Sequence, residues 1–228
     1  PVDVLHYVAA LATVPLLDRP RVLEEDRARA TMVADDAQRE RLAATTQSIE
    51  EFLAGLEMVA TVGQSDDTTI ERISQLIHKT NQFNLTTRRH SLEDVRKLAS
   101  ASDARVLWMR LADRFGDMGL IAVGIVRVEG DVGRVDTLLM SCRVMGRGVE
   151  DAVLAHLVEA ARELGAKSLL GEYRRTAKND IVREYYRERG FAELSQEGES
   201  ALYSLADLSA AERWPRHIAR RDAASAKE

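Results

Sequence analysis

The spacing of apolar residues changes from a helical to a strand period at about residue 56. Residues 1 to about 56 carry only helical patterns, among them the stripe Ile49, Phe52, Leu53 and Leu56. After residue 56, short alternating segments typical of strands are interleaved with helical stripes and turns. The pattern predicts strands at 56–63, 106–111, 120–128, 135–141, 167–173, 191–195 and 200–205, and helices at 68–79, 92–99, 149–164 and 181–189.

This order of elements predicts three parts of the chain. Residues 1–56 form a helical connector that includes a predicted helix at 4–11. Residues 57–207 form one compact domain of helices and strands. Residues 208–228 form a charged C-terminal tail that we expect to be frayed.

Local signals at the helix ends support these boundaries. Asp66 or Asp67 offers an N-cap for the helix that follows the first strand. Ser91 and Asp94 have the spacing of a capping box in its aspartate form. Gly190 is placed as a C-terminal stop, because glycine adopts the left-handed conformation that ends a helix.

The composition argues against nucleic acid, membranes and metals as partners and favours a reducing compartment. The net charge of -5 provides no basic field for nucleic acid or for an anionic membrane surface. No apolar run approaches the ~20 residues that span a bilayer, and no signal peptide is visible. Cys142 is the single cysteine, which excludes an internal disulfide and fits a reducing cytoplasm. No metal site is predicted, because there is no cysteine cluster and no histidine pair at i, i+4.

The stretch RVDTLLMSCRVMGRGVEDAVLAHLVEAARELG, residues 134–165, predicts a strand, a glycine-bearing turn and an amphipathic helix. The two glycines allow backbone N–H groups to crowd together, and the helix dipole places positive potential at the same point. Such a turn is an anion cradle whose natural ligand is a phosphate, and its arginines add fixed charge. The residues of this predicted cradle are Ser141, Arg143, Val144, Met145, Gly146, Arg147 and Gly148.

The element order and two motifs together resemble the GNAT family of N-acetyltransferases. One motif is the Arg-x-x-Gly-x-Gly spacing of the cradle; the other is Asn179, then Tyr185 and Tyr186, then Gly190-Phe191. The resemblance implies an α/β (α+β) fold with a mixed, mostly antiparallel sheet, preceded here by the helical segment. It also implies that two central strands separate and receive a pantetheine arm like an extra strand, while the cradle, Asn179 and Tyr185 bind the cofactor.

Three longer strings are similar to a narrower family, the C-terminal part of FkbH-like proteins. They are KTNQFNLTTRR at 79–89, DRFGD at 113–117 and LMSCRVMGRGVE at 139–150. The resemblance implies transfer of a glyceryl unit from 1,3-bisphosphoglycerate to the phosphopantetheine arm of an acyl carrier protein in polyketide biosynthesis. It also implies a HAD-type phosphatase domain as partner. The Asp-x-Asp loop of such a domain does not occur in this sequence, so no phosphatase activity is assigned to it.

Cys142 is the candidate nucleophile for acyl transfer to a thiol. It comes at the end of the strand that borders the pantetheine position, one residue before the cradle. Nearby arginines and the helix dipole favour a thiolate, so we hypothesise that Cys142 carries the glyceryl group as a thioester. The alternative is a small buried apolar residue, the usual environment of a lone cysteine.

The polar stretch between the first two helices of the domain is a candidate site for the small-molecule substrate. Its amides and arginines suit a hydroxylated or phosphorylated ligand, and the alternative is an interhelical turn whose side chains bond local backbone. The residues of this candidate site are Asn81, Gln82, Asn84, Thr86, Thr87, Arg88 and Arg89.

Three further residues are candidates for proton transfer. His90 is a candidate general base. The alternative is that it is an ordinary loop histidine without a catalytic role. The GNAT resemblance implies a tyrosine that protonates the leaving thiolate. We assign this role to Tyr186 and expect its side chain to face the groove. The alternative is that the Tyr186 ring packs in the core. Glu172 is the candidate base if the substrate is an amine.

Three functions remain open from the sequence. The first is glyceryl transfer to a carrier protein, the second is N-acetyl transfer from acetyl-coenzyme A, and the third is a non-catalytic module that docks a carrier protein. An amine acetyltransferase needs coenzyme A and a carboxylate base, whereas only the first function needs the thiol of Cys142.

Overall fold

The computed structural model describes residues 24–211 and 213–223. The predicted helix at 4–11 lies outside these residues. The chain divides into two compact units after Thr45. In the first unit the described part is one helix, α1 (Glu24–Thr45). The second unit contains all the strands described below.

The second unit contains the elements that the hydrophobic pattern predicts, together with two strands, Phe83–Asn84 and Ile218–Asp222, that it does not predict. The remaining helices are α2 (Ile49–Gly55), α3 (Ile70–Lys79), α4 (Leu92–Ser100), α5 (Val149–Glu163) and the short α6 (Tyr185–Glu188). The strands are β1 (Met58–Gln64), β2 (Phe83–Asn84), β3 (Ala104–Asp113), β4 (Gly116–Glu129), β5 (Val132–Met140), β6 (Ser168–Arg174), β7 (Ala192–Glu197), β8 (Ser200–Leu205) and β9 (Ile218–Asp222).

The strands form one mixed sheet in the order β7-β8-β6-β5-β4-β3-β1-β9, and β2 pairs with β5 off this path. The pairs β5–β6 and β1–β9 are parallel, and the other pairs are antiparallel. The expectation of a mixed, mostly antiparallel sheet is therefore confirmed.

Helices cover both faces of the central strands. On one face, Ile73 of α3 and Val95 of α4 pack with Val123 and Ile125 of β4. On the other face, a Cβ on Gly124 would lie 2.8 Å from a side-chain atom of Leu157 in α5, so glycine lets this helix approach closely. Because both faces are covered, β4 is buried along most of its length and lacks a clean polar alternation.

The capping box predicted at the start of α4 is confirmed, whereas the N-cap residue of α3 is Thr69 and not the predicted Asp66 or Asp67. The Ser91 side chain accepts the Asp94 N–H while the Asp94 carboxylate accepts the Ser91 N–H, which is a complete capping box for α4. Asp66 accepts the hydroxyl groups of Thr68 and Thr69 and also their N–H groups in the turn before α3. The hydroxyl bonds first, and then the N–H bonds, hold the pKa of Asp66 below its ordinary value.

Two predictions about the C-terminal third need correction. The helix predicted at 181–189 is a 3₁₀ turn, Asp180–Val182, followed by α6. The 3₁₀ turn tightens the entry so that Val182, Tyr185 and Tyr186 are buried while Ile181 stays exposed. The tail predicted to be frayed contains β9, which adds a parallel strand beside β1 at the edge of the sheet.

None of the helices within 24–211 and 213–223 is both long and apolar enough to cross a bilayer.

Candidate functional site

The candidate site is the gap that opens between the parallel strands β5 and β6. These strands pair only from Val132 opposite Ser168 to Val135 opposite Gly171. The other edge of β5 is bonded to β4 as far as Met140, so the gap opens on the β6 side. The expectation that two central strands separate is met at this point of the sheet.

The protein's own residues 83–88 fill this gap. Within β2, Phe83 pairs with Met140 and Asn84 with Leu139. The Leu85 N–H then donates to the Leu138 carbonyl at 3.1 Å, and the Leu85 carbonyl accepts the Arg174 N–H of β6 at 2.8 Å. The segment therefore bridges both strands, in the place where a pantetheine arm was expected to lie.

Thr86 and Asn84 belong to this internal strand and not to a substrate site. Thr86 is buried and its hydroxyl donates to the Asp136 carbonyl at 2.9 Å. Asn84 is buried, and its side-chain oxygen accepts the Thr87 N–H at 2.8 Å. That bond supports the positive φ of 53° at Thr87. The prediction that Asn84 and Thr86 grip a substrate is wrong, because both are buried and their side chains hold the segment in place. A substrate contact of the half-buried Thr87 stays a prediction.

Asn179 fastens the segment from the other side. Its side-chain nitrogen donates to the Asn84 carbonyl at 2.8 Å and to the Arg174 carbonyl at 2.9 Å. Its oxygen accepts the Thr176 N–H at 2.7 Å, and the residue is fully buried. Since an amide has two N–H donors and both are used, the predicted contact of Asn179 with a cofactor is replaced by a structural role.

Arg88 closes the narrow end of the gap. Asp136 and Glu172 are the first residues of β5 and β6 after the two strands part. The Arg88 guanidinium lies between them, with Nη1 2.7 Å from Asp136 Oδ2 and Nη2 2.7 Å from Glu172 Oε2. Both carboxylates are mostly buried, so the bridge shares one positive charge between two negative charges that water reaches poorly. Glu172 also pairs with Arg174 at 3.1 Å.

His90 completes the cluster around Asp136. Its Nε2 lies 2.7 Å from Asp136 Oδ1 and 3.2 Å from Thr137 Oγ1. A carboxylate only accepts hydrogen bonds, so Nε2 carries the proton. Burial by itself would raise the pKa of Asp136, but the hydrogen bond and charge of His90, with Thr137 and Arg88, lower it to about 2.

Acid is expected to remove the stability that this cluster provides. The folded pKa of about 2 is below the ordinary 3.8, so ionised Asp136 stabilises the fold above pH 3.8, and that stability is lost as the pH falls through about 2. The difference corresponds to ~2 kcal/mol. Urea unfolding from about pH 5 to about pH 2 measures it. In Asp136→Asn, the fall in the free energy of unfolding between these pH values should be smaller by this amount. The control Asp117→Asn changes an exposed carboxylate and should show the same fall as the wild type. An equal fall in both variants would contradict the role of Asp136.

The remaining residues of the predicted substrate stretch lie away from the cluster. Arg89 donates to the Ile77 carbonyl, to the Thr80 carbonyl at 3.0 Å and to Asn81 Oδ1 at 2.6 Å. It therefore caps the C-terminal end of α3, where free carbonyls attract a cation. Gln82 is exposed. The alternative of a capped interhelical turn is correct for Arg89 and Asn81.

Cys142 is exposed, in the 3₁₀ turn Cys142–Val144 that follows β5. The alternative of a buried apolar cysteine is therefore wrong. On the extended strand β5, the four-residue separation between Asp136 and Met140 corresponds to about 13 Å. Cys142 follows Met140 and therefore lies beyond this distance from Asp136 along the chain. His90, which is bonded to Asp136, is thus too far away to act as the base of Cys142.

The turn predicted as an anion cradle holds one of the protein's own carboxylates. Glu150, in the first turn of α5, accepts the Gly146 N–H at 2.5 Å. Gly146 and Gly148 have positive φ values of 74° and 79°, as a glycine turn requires. His217 Nε2 lies 2.8 Å from the Arg147 carbonyl, so the segment before β9 contacts this turn.

The side chains of the turn are also engaged. Arg143 Nε donates to Ser141 Oγ at 3.3 Å, and Arg147 Nη1 lies 4.0 Å from the buried carboxylate of Asp113. Val144 is buried.

A groove of about 340 Å³ lies between the turn and α6. Its lining is acidic, with four carboxylates beside the single cation Arg189 among its lining residues. The four are Glu150, Asp151, Glu184 and Glu188. The apolar part of the wall includes Phe83, Met145, Ile181, Val182 and Tyr185.

Of the two tyrosines, Tyr186 does not take its predicted position, and the cofactor contact of Tyr185 stays a prediction. Tyr185 lines the groove, and its hydroxyl donates to the Glu150 carbonyl at 3.0 Å. Tyr186 is fully buried, and its hydroxyl has no hydrogen-bond partner within the described ranges. Burial raises the pKa of Tyr186 well above its ordinary value, so its hydroxyl stays protonated. Core packing is therefore the correct interpretation of the Tyr186 ring.

Sequence reasoning missed two central residues, Asp136 and Glu150. Asp136 had a usable signal, because a charge inside the apolar segment VDTLLM is costly unless it is paired. Glu150 had none, because an acidic residue in the first turn of a helix is common.

Comparison with solved structures gives the same fold. The GNAT domain of S. lividans PAT is similar with a TM-score of 0.50 and 19% identity, over 63% of this chain and 88% of that one. A structure from Desulfovibrio desulfuricans assigned to the GNAT acetyltransferase family is similar with a TM-score of 0.52 and 13% identity, over 66% of this chain and 99% of that one. Neither the models of known protein families nor the curated protein sequences give a match. The chain therefore has the GNAT fold, with the gap between its parted strands filled by its own residues.

Proposed function

We propose that this chain is the acyl-transfer domain of an FkbH-like protein. In this proposal Cys142 takes a glyceryl unit from an acyl phosphate and passes it to the thiol on the phosphopantetheine arm of an acyl carrier protein. The observation that carries the proposal is the exposure of Cys142 at the mouth of the filled gap, next to the glycine turn. The resemblance of residues 79–89, 113–117 and 139–150 to FkbH-like proteins supports the substrate class.

The chemistry requires two acyl exchanges on one sulfur. The Cys142 thiolate attacks the acyl carbon of the acyl phosphate, a carbon–sulfur bond forms, and the carbon–oxygen bond to phosphate breaks. Inorganic phosphate leaves with the electron pair. The carrier thiolate then attacks the thioester carbon, and Cys142 leaves as the thiolate. With 1,3-bisphosphoglycerate as donor, the second phosphate stays on the acyl group until a phosphatase domain hydrolyses it.

The filled gap favours this function over N-acetyl transfer. A donor that lies between β5 and β6 would have to replace the bonds of Leu85 and Thr86. A thiol outside the gap needs no such displacement. The same observation supports a second candidate function, a non-catalytic module that docks the carrier protein on this surface.

Intact-protein mass spectrometry with 1,3-bisphosphoglycerate tests the proposal. We expect a phosphoglyceryl adduct on the wild type, its transfer to a holo carrier protein, and loss of at least ~100-fold in loading rate in Cys142→Ala. A matched control, Cys142→Ala with Ser100→Cys, moves one exposed thiol to the end of α4 and should load as poorly. Equal loading of the control would show unspecific acylation and refute the proposal; carrier binding without any adduct would support the docking module.

A further inference from the structure

We infer that this domain rejects free coenzyme A and accepts only the neutral part of a pantetheine arm held by a carrier, and that Glu150 is a determinant of this choice. The inference deepens the proposed function and rests on it for the identity of the arm. The GNAT fold implies a coenzyme A site between the parted strands and at the glycine turn, but in this chain the protein's own residues occupy these positions. The inference is based on this difference.

The first part of the difference is the filled gap. An arm between β5 and β6 would use the free edge of β5 as a strand partner. That edge is already bonded to Phe83, Asn84 and Leu85. Arg88 holds the end of the same segment through two ion pairs of 2.7 Å, so an arm in the gap would have to break both, although Asp136 would keep His90 and Glu172 would keep Arg174. Pantetheine is common to coenzyme A and to a carrier's arm, so the filled gap keeps both outside it and leaves the choice between them to the turn and the groove.

The second part is the glycine turn. A diphosphate would bind through backbone N–H groups of this turn and through the dipole of α5. Glu150 already accepts the Gly146 N–H at 2.5 Å, so a carboxylate of this protein takes the place of the anion. The Glu150 carboxylate would also repel a phosphate at that position, and this repulsion becomes stronger where water is excluded.

The third part is the groove beside the turn, whose lining holds three further carboxylates, Asp151, Glu184 and Glu188. Arg189 pairs with two of them and lies within the lining, whereas Arg187, which pairs with Glu184, does not belong to the lining. Coenzyme A brings a diphosphate and a 3′-phosphate to such a groove. The pantetheine portion of a carrier's arm is uncharged, and its one phosphodiester remains at the carrier surface. Four carboxylates around one lining cation, with the Glu150 carboxylate bonded only to the Gly146 N–H among the contacts described, disfavour the phosphates of the nucleotide more than the uncharged arm. Phe83, Met145 and Tyr185 offer the arm apolar contact.

Calorimetric titration with coenzyme A tests the inference on the whole chain. The wild type should bind with a Kd above about 1 mM, and Glu150→Gln, which removes the charge and keeps the shape, should bind at least about tenfold more tightly. Glu163→Gln is the matched control, since it removes the same charge from the other end of α5. The amide of Leu85 should stay protected from hydrogen exchange when coenzyme A is added.

Two results would overturn the inference. One is wild-type binding of coenzyme A below about 100 μM with loss of Leu85 protection, which would show that the ligand displaces the segment. The other is Glu150→Gln binding no better than Glu163→Gln, which would remove the role of Glu150. The loading of Cys142 from an acyl phosphate uses no coenzyme A. Failure of that loading would thus refute the proposed function and leave the titration result unchanged.

Discussion

Replacing Gly171 by alanine is expected to destabilise the protein by about 3 kcal/mol, because the new methyl group has no space. A Cβ on Gly171 would lie 2.3 Å from Cε1 of Tyr186. The Tyr186 ring is fully buried against Tyr185, Phe191 and Tyr203, so it has no direction in which to move. Urea denaturation followed by circular dichroism measures the change.

A pair of second-site variants separates the clash from other effects of the alanine. Gly171→Ala with Tyr186→Leu removes the ring and should recover at least about 1 kcal/mol relative to the sum of the single variants. Gly171→Ala with Tyr186→Phe keeps the ring and removes only the unpartnered hydroxyl, so it should recover nothing of the clash. Equal recovery in both combinations would contradict the steric explanation.

Replacing Arg88 by methionine is expected to cost about 3 kcal/mol, since two mostly buried carboxylates would lose their shared cation. As ion-pair partners, Asp136 would keep only His90, and Glu172 would keep only the half-exposed Arg174. This value is at the low end for buried pairs, because the Arg88 side chain is 30% exposed and solvent screens part of the effect. The pKa of Asp136 should rise in this variant, since the nearby guanidinium is one of the causes of its low value.

The control for Arg88→Met is Arg110→Met. Arg110 pairs with Asp117 at 3.0 Å, but both side chains are more than half exposed, so its loss should cost less than about 0.5 kcal/mol. Hydrogen exchange gives a second measurement: the Leu85 amide should exchange faster in Arg88→Met and normally in Arg110→Met. If the two variants lose equal stability, Arg88 does not close the gap in the way described.

Features set by neighbouring residues were predictable from the sequence. The capping box of Ser91 and Asp94 joins residues three apart, and the meander from β3 to β5 needs only short turns between alternating segments. The order of these elements was enough to identify the fold.

Features set by distant residues were not predictable. Thr86 bonds to the backbone of Asp136, and Asn179 to the backbone of Asn84, across 50 and 95 positions. From composition alone, polar residues that bond to distant backbone resemble polar residues that bind a ligand, and Thr86 was assigned to the substrate site for this reason. β9 was missed because its sequence IARRD has charges where a strand pattern would have apolar residues.

The addition of β9 has a consequence for solubility. Without it, β1 would be the outer strand, and its sequence MVATVGQ contains no charge and no proline. An uncharged, extended outer strand is a template for aggregation with other chains. The strand that replaces it at the boundary carries Arg220, Arg221 and Asp222, which discourage such pairing. A fragment trimmed to end at residue 207 would lose this protection while keeping every residue of the filled gap.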